Sequence, residues 1–107
     1  MTLIDLNLLT TELYNALGPQ KSKELFVQFP AGTFPGQLKA LEDNTHFNDF
    51  GAYELARCMV NGIRNAKLDI SKYLKHEPAF NPDRPDDIKK WDLPLTPMYT
   101  SIKPLGN

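Results

Sequence analysis

The sequence predicts a mixed α/β chain that is mainly helical, with one candidate strand near its start and an extended, proline-rich tail. Three observations carry this. Leu6, Leu9, Leu13 and Leu17 recur at helical spacing. Ala52, Leu55, Ala56, Met59, Val60 and Ile63 repeat that spacing over a longer run. Most of the nine prolines fall in the last thirty residues, where they forbid long helices. With 107 residues the chain has room for one small domain and a modest core.

The first element is the short apolar run "TLIDL", Thr2–Leu6. It suits a buried parallel strand, and it suits equally the first turn of the helix that follows. The leucine pattern predicts that helix over Asn7–Leu17. Gly18 supplies a left-handed cap and Pro19 stops continuation. A short helical piece is expected around Lys21–Phe26, because a proline restarts the pattern there. "PAGTFPGQLKALE" reads as an irregular loop leading to Asp43. The strongest helix is predicted over Asp49–Asn65. Asn48 is its N-cap, and Asp49 complements the positive end of the helix dipole. Arg57, Asn61 and Arg64 fall opposite the apolar stripe. "LDISKYL" predicts one or two helical turns. From His76 onward isolated large apolar residues, among them Phe80, Ile88, Trp91, Leu93, Leu95 and Tyr99, interrupt a Pro, Asp and Lys background. A disordered linker carries fewer aromatics, so this tail is expected to pack on the domain with Trp91 as an anchor.

Composition excludes several classes. The net charge is −1 and no basic stripe is present, so nothing points to nucleic acid. No apolar run approaches a membrane span, and the start "MTLIDLNLL" has no signal-peptide pattern. Cys58 is the single cysteine, so no intrachain disulfide forms. His46 and His76 are the only histidines. They leave a metal site short of ligands, and no cofactor is implied. Asp83, Asp86 and Asp87 cluster in "PDRPDD", but the spacing is not that of an EF-hand loop.

The candidate chemistry lies in "DNTHF", Asp43 to Phe47. Histidine is the natural general base near neutral pH. In a serine triad one imidazole nitrogen faces the nucleophile and the other donates to a carboxylate. Asp43 and His46 are one turn apart, close enough for that contact. Asp-x-x-His alone is a weak pattern, and it reads more simply as a turn cap beside a surface histidine.

The wider stretch "DNTHFNDFGAYELARCMVNGIR", Asp43 to Arg64, resembles the last sequence block of the SGNH (GDSL-type) hydrolases. Within them it is most similar to the bacterial rhamnogalacturonan acetylesterase-like branch. "IDLNLLTTELYNALGPQKSKELF", Ile4 to Phe26, resembles the segment that precedes that block, and "FNPDRPDD" and "DLPLTP" are similar more loosely. The resemblance implies that His46 is the general base of a Ser-His-Asp triad and Asp43 its orienting acid. It implies a three-layer α/β/α sandwich with a doubly wound parallel sheet. Residues 1–75 would be the C-terminal part of that domain, and 76–107 the extended tail. The family's Gly-Asp-Ser nucleophile, its oxyanion glycine and its Gly-x-Asn-Asp segment do not occur here; Ser22, Ser71 and Ser101 sit in "QKSKE", "DISKY" and "YTSIK".

The chain is therefore expected to be a fragment of a carbohydrate esterase, inactive alone. In the parent the expected partner is an acetylated pectic polysaccharide, and the expected location is the periplasm or outside the cell. Self-association through an exposed sheet-facing surface is a further expectation. Two other readings stand beside it: a non-catalytic helical interaction module, and an SGNH lipase or esterase of another substrate class.

Overall fold

A computed structural model describes residues 1–76 and 78–94. Leu95, Tyr99 and Ser101, named above, lie outside the described residues. Helix α1 runs over Leu6–Lys21, strand β1 over Phe26–Phe29, strand β2 over Leu41–Phe47 and helix α2 over Asp49–Asn65. Short 3-10 turns at Ser22–Leu25, Asp69–Tyr73 and Ile88–Lys90 complete the order. The chain is thus mixed α/β, with two helices and one two-stranded sheet among the described residues.

Thr2–Leu6 is not a strand. Among the described residues no strand pairs with it, and Asp5 instead caps α1, its Oδ1 accepting from the Leu8 N–H at 2.9 Å. Thr2–Asp5 is therefore an irregular lead-in, and only Leu6 of the run enters the helix that Asp5 caps. Gly18 interrupts α1 at φ 77° and ψ 174°, an extended conformation open to glycine and not the left-handed helical cap. Pro19 follows and begins a second short helical piece, where its missing N–H costs nothing.

The helical piece expected around Lys21–Phe26 is the 3-10 turn Ser22–Leu25, and the strands fall just after it and at the end of the predicted loop. The run "FVQF" forms β1 instead of continuing the helical turn. It pairs antiparallel with β2 across the loop of residues 30–40: Phe26 with Phe47, Gln28 with Glu42, Phe29 with Leu41. Val27 alone therefore faces the four residues Asp43–His46, which bulge out of β2. The stacked rings of Phe26 and Phe47, 4.9 Å apart, close the bulge at its far end.

Helix α2 has the predicted bounds and the predicted Asn48 cap. Its buried face differs from the predicted stripe. Gly51, Glu54, Cys58 and Gly62 are buried, while Ala52 and Ala56 are exposed and Leu55, Met59, Val60 and Ile63 are half-buried. The small residues allow close approach: Gly51 lies against the Leu25 carbonyl, and Gly62 against Ile4 and Leu9. The buried apolar set among the described residues is Leu13, Leu25, Phe50, Cys58 and Phe80, with Leu9, Leu55, Ile88 and Trp91 packed around it.

The tail is tied to α2 through Arg57. Its Nη1 donates to Asp86 Oδ2 at 2.6 Å, and its guanidinium lies 4.6 Å from the Phe80 ring centre. Trp91 meets Phe50 edge-on at 5.5 Å between ring centres. Removing Arg57 leaves Asp86 and Glu54 facing each other without a cation. Arg57→Ala should cost on the order of 2 kcal/mol and speed amide exchange around Phe80 first. Exchange at Phe80 no faster than in the parent chain would contradict the tie.

Candidate functional site

The bulge places both predicted site residues. Asp43 and His46 would point away from one another in a regular strand, where three-residue spacing puts side chains on opposite faces. The bulge folds them together. Asp43 Oδ1 accepts from the Thr45 N–H at 2.6 Å and the His46 N–H at 2.9 Å, while Oδ2 meets His46 Nδ1 at 2.8 Å. One carboxylate thus caps its own turn and grips the ring.

These contacts act on protonation. The backbone N–H groups of His46 and Thr45, then the His46 ring, hold the Asp43 carboxyl down to about 2. At neutral pH it is a carboxylate and only accepts hydrogen bonds. The nitrogen facing it must therefore donate. In the neutral ring this puts the proton on Nδ1 and a lone pair on Nε2. His46 is exposed, its side chain 78% accessible against 21% for Asp43. No hydroxyl hydrogen-bonds Nε2 among the described residues.

The surroundings lock the bulge at both ends. Gln28 Nε2 donates to the Asp43 carbonyl at 3.0 Å from the facing strand. On the other side Asn48 accepts from the Gly51 N–H at 2.9 Å and donates to the carbonyls of Glu24 and Phe26. The sequence shows Asn48 as a cap and gives no signal for Gln28, because their roles depend on strand pairing.

The remaining candidates sit apart from the pair. Ser22 Oγ donates to the Pro19 carbonyl at 3.3 Å, and Ser71 lies in the 3-10 turn Asp69–Tyr73. Cys58 is buried, and burial together with Glu54 and Glu12 pushes its thiol up to about 11, which removes it as a nucleophile. Among the described residues no three of His, Cys, Asp and Glu converge as metal ligands. A shallow cleft of about 460 Å³ lies beside the motif, lined by Val27, Phe47, Asn48, Phe50, Ile88 and Trp91. Phe50 reaches this cleft, whereas Tyr53 lines a different one with Arg57 and Trp91.

Over 71 residues the chain is 42% identical to the rhamnogalacturonan acetylesterase RhgT of Bacillus subtilis (strain 168). Over that stretch it is related to SGNH-type acetylesterases. The match takes in 66% of this chain and 31% of the relative, so the chain spans about a third of that protein's length. No family model matches the chain, and no solved structure matches it.

Proposed function

We propose that this chain carries the acid–base half of a serine esterase, with His46 as general base and Asp43 as the acid that orients it. The observation that supports this most is the Nδ1 to Oδ2 contact of 2.8 Å, made by a carboxylate held ionised, which leaves Nε2 as a free lone pair on an exposed ring. In the assembled enzyme Nε2 takes the proton of a serine supplied by polypeptide outside this sequence. That serine oxygen attacks the acetyl carbonyl. The imidazolium, steadied by Asp43, returns its proton to the departing sugar oxygen, and water then releases acetate by the same relay. The oxyanion donors come from the same outside polypeptide.

The substrate we propose is an acetyl ester on a pectic polysaccharide, by analogy with the relative's name, and the site of action the periplasm or the cell exterior. The proposed parent architecture is the three-layer sandwich, with residues 1–75 inside it and 76–107 as its tail. The half-open apolar stripe of α2 and the exposed Leu3, Leu8, Leu38 and Leu41 support a further layer over this chain. The same surface suits a helical module that binds a partner without catalysis. A Gly-Asp-Ser block and a Gly-x-Asn-Asp block encoded upstream of Met1 would separate the two readings.

The purified chain should hydrolyse an aryl acetate no faster than an equal concentration of free imidazole. Triad members act as a unit, so without the nucleophile the pair contributes little. Joined to a polypeptide bearing those two blocks it should turn over, and His46→Ala should then remove roughly 10⁴-fold or more. Turnover by the chain alone that vanishes in His46→Ala would overturn the proposal, and preference for a long-chain ester would move the substrate class.

A further inference from the structure

Asn48 spends every polar group it has on one junction. Its backbone N–H donates to the Leu25 carbonyl at 3.1 Å. Its Nδ2 donates to the Glu24 carbonyl at 2.7 Å and the Phe26 carbonyl at 3.0 Å. Three consecutive carbonyls, at the passage from the 3-10 turn into β1, are thus taken up by one residue. Its Oδ1 accepts from the Gly51 N–H at 2.9 Å and its own carbonyl accepts from the Ala52 N–H at 2.9 Å, which together start α2. The Gly51 N–H is a donor and the two carbonyls are acceptors, so the side-chain amide has a single workable orientation.

A helix cap needs only the oxygen half of that amide. The nitrogen half does something a cap does not require. It fixes the exit of β2 against the entry of β1, two residues after His46. The near end of the bulge is already fixed by the Gln28–Glu42 pair and by Gln28 on the Asp43 carbonyl. With both ends set, the four bulged residues have little slack, and the Asp43 carboxylate falls within reach of His46 Nδ1.

We infer that Asn48 is a positioning residue for the base: its side-chain N–H groups, through the Glu24 and Phe26 carbonyls, hold His46 where Asp43 selects the Nδ1–H tautomer. This rests on reading His46 as the general base, and it deepens that reading by naming what sets the ring's geometry.

Asn48→Asp separates the two halves of the amide. Aspartate caps a helix as well as asparagine does, and its charge suits the helix start. It turns the donor half into a second acceptor aimed at two carbonyl oxygens. Asn48→Ser likewise keeps a capping oxygen without that charge, and is too short to staple both carbonyls. The readout is the ¹⁵N spectrum of the His46 imidazole in the whole chain at about pH 8.5, where an ordinary imidazole is neutral. The parent chain should show mainly the Nδ1–H form. Both variants should shift mainly to the Nε2–H form, as should the control Asp43→Ala, while far-UV circular dichroism keeps its helical signal. A cap alone would leave the tautomer untouched. Retention of Nδ1–H in both folded variants overturns the inference, and so does loss of the helical signal in both, since the residue would then be holding up the chain and not the ring. No ester is involved, so an assembled enzyme that proved inactive would count against the catalytic reading and leave this measurement standing.

Discussion

Gly51→Ala should destabilise the fold by on the order of 3 kcal/mol, read as a sharply lower urea midpoint, against a total of roughly 5 kcal/mol for a small domain. Helix propensity predicts the opposite sign, since alanine for glycine inside a helix gains about 1 kcal/mol. The close approach decides. An added methyl at Gly51 meets the carbonyl oxygen, carbon and Cα of Leu25, all of them backbone atoms. The same carbonyl accepts from the Asn48 N–H, so it cannot withdraw without giving up that bond. Gly62→Ala is the matched control. Its methyl meets the Ile4 Cγ2 methyl and, less closely, Leu9 Cδ1, which are side-chain and not backbone atoms, and Ile4 lies ahead of α1, where it can shift. Its cost should be well below that of Gly51→Ala. A Gly51→Ala midpoint equal to or above the parent's would show that α2 does not sit against Leu25.

Stability should also fall as pH rises from about 5 to about 9, and Glu54→Gln should flatten that fall. Glu54 is fully buried, and neither carboxyl oxygen has a hydrogen-bond partner among the described residues. Burial, then the neighbouring Asp86 carboxylate, pushes it up to about 8, and Arg57 only partly offsets them. Between the ordinary glutamate value and that raised one, the folded chain keeps a proton that the unfolded chain has released. The unfolded state then binds fewer protons, so unfolding free energy declines with pH across this window. The full loss amounts to at most about 5 kcal/mol. Asp43 works the other way in a separate window. Its folded value lies below the unfolded one, so its contribution is present above about 4 and disappears as pH falls toward 2. Denaturation midpoints at pH 5, 7 and 9 for the parent and Glu54→Gln check the sign. A parent midpoint that rises over this range would show that Glu54 is ionised in the fold.

The parts legible in the sequence are those set by neighbours a few residues away. Helix α2 follows from its spacing, and its start from Asn48. The contact between Asp43 and His46 follows from their separation in a turn. What was not legible depends on distant partners. "LEDNTHF" looks like a loop because Asp43 and Asn44 favour turns, yet it is a strand interrupted by a bulge, and only pairing with "FVQF" reveals this. Thr2–Leu6 is apolar enough for a strand, but it pairs with neither β1 nor β2, and its Asp5 caps the helix that starts at Leu6. Apolar periodicity pointed to Ala52 and Ala56 as the inner face of α2. The inner face instead follows the small residues Gly51, Cys58 and Gly62, and carries Glu54 in with them.

The carboxylate that grips its own turn also bears on the order of folding. The acid and the base are three residues apart, so their meeting asks almost nothing of chain topology. Such a closure belongs with the fastest elementary events, on the order of tens of nanoseconds for a loop of ten residues. The hairpin that surrounds it must first close residues 30–40, which takes on the order of microseconds. Asp43 can therefore find His46 many times before β1 and β2 lock their register, and the later steps need only choose which of those encounters lasts.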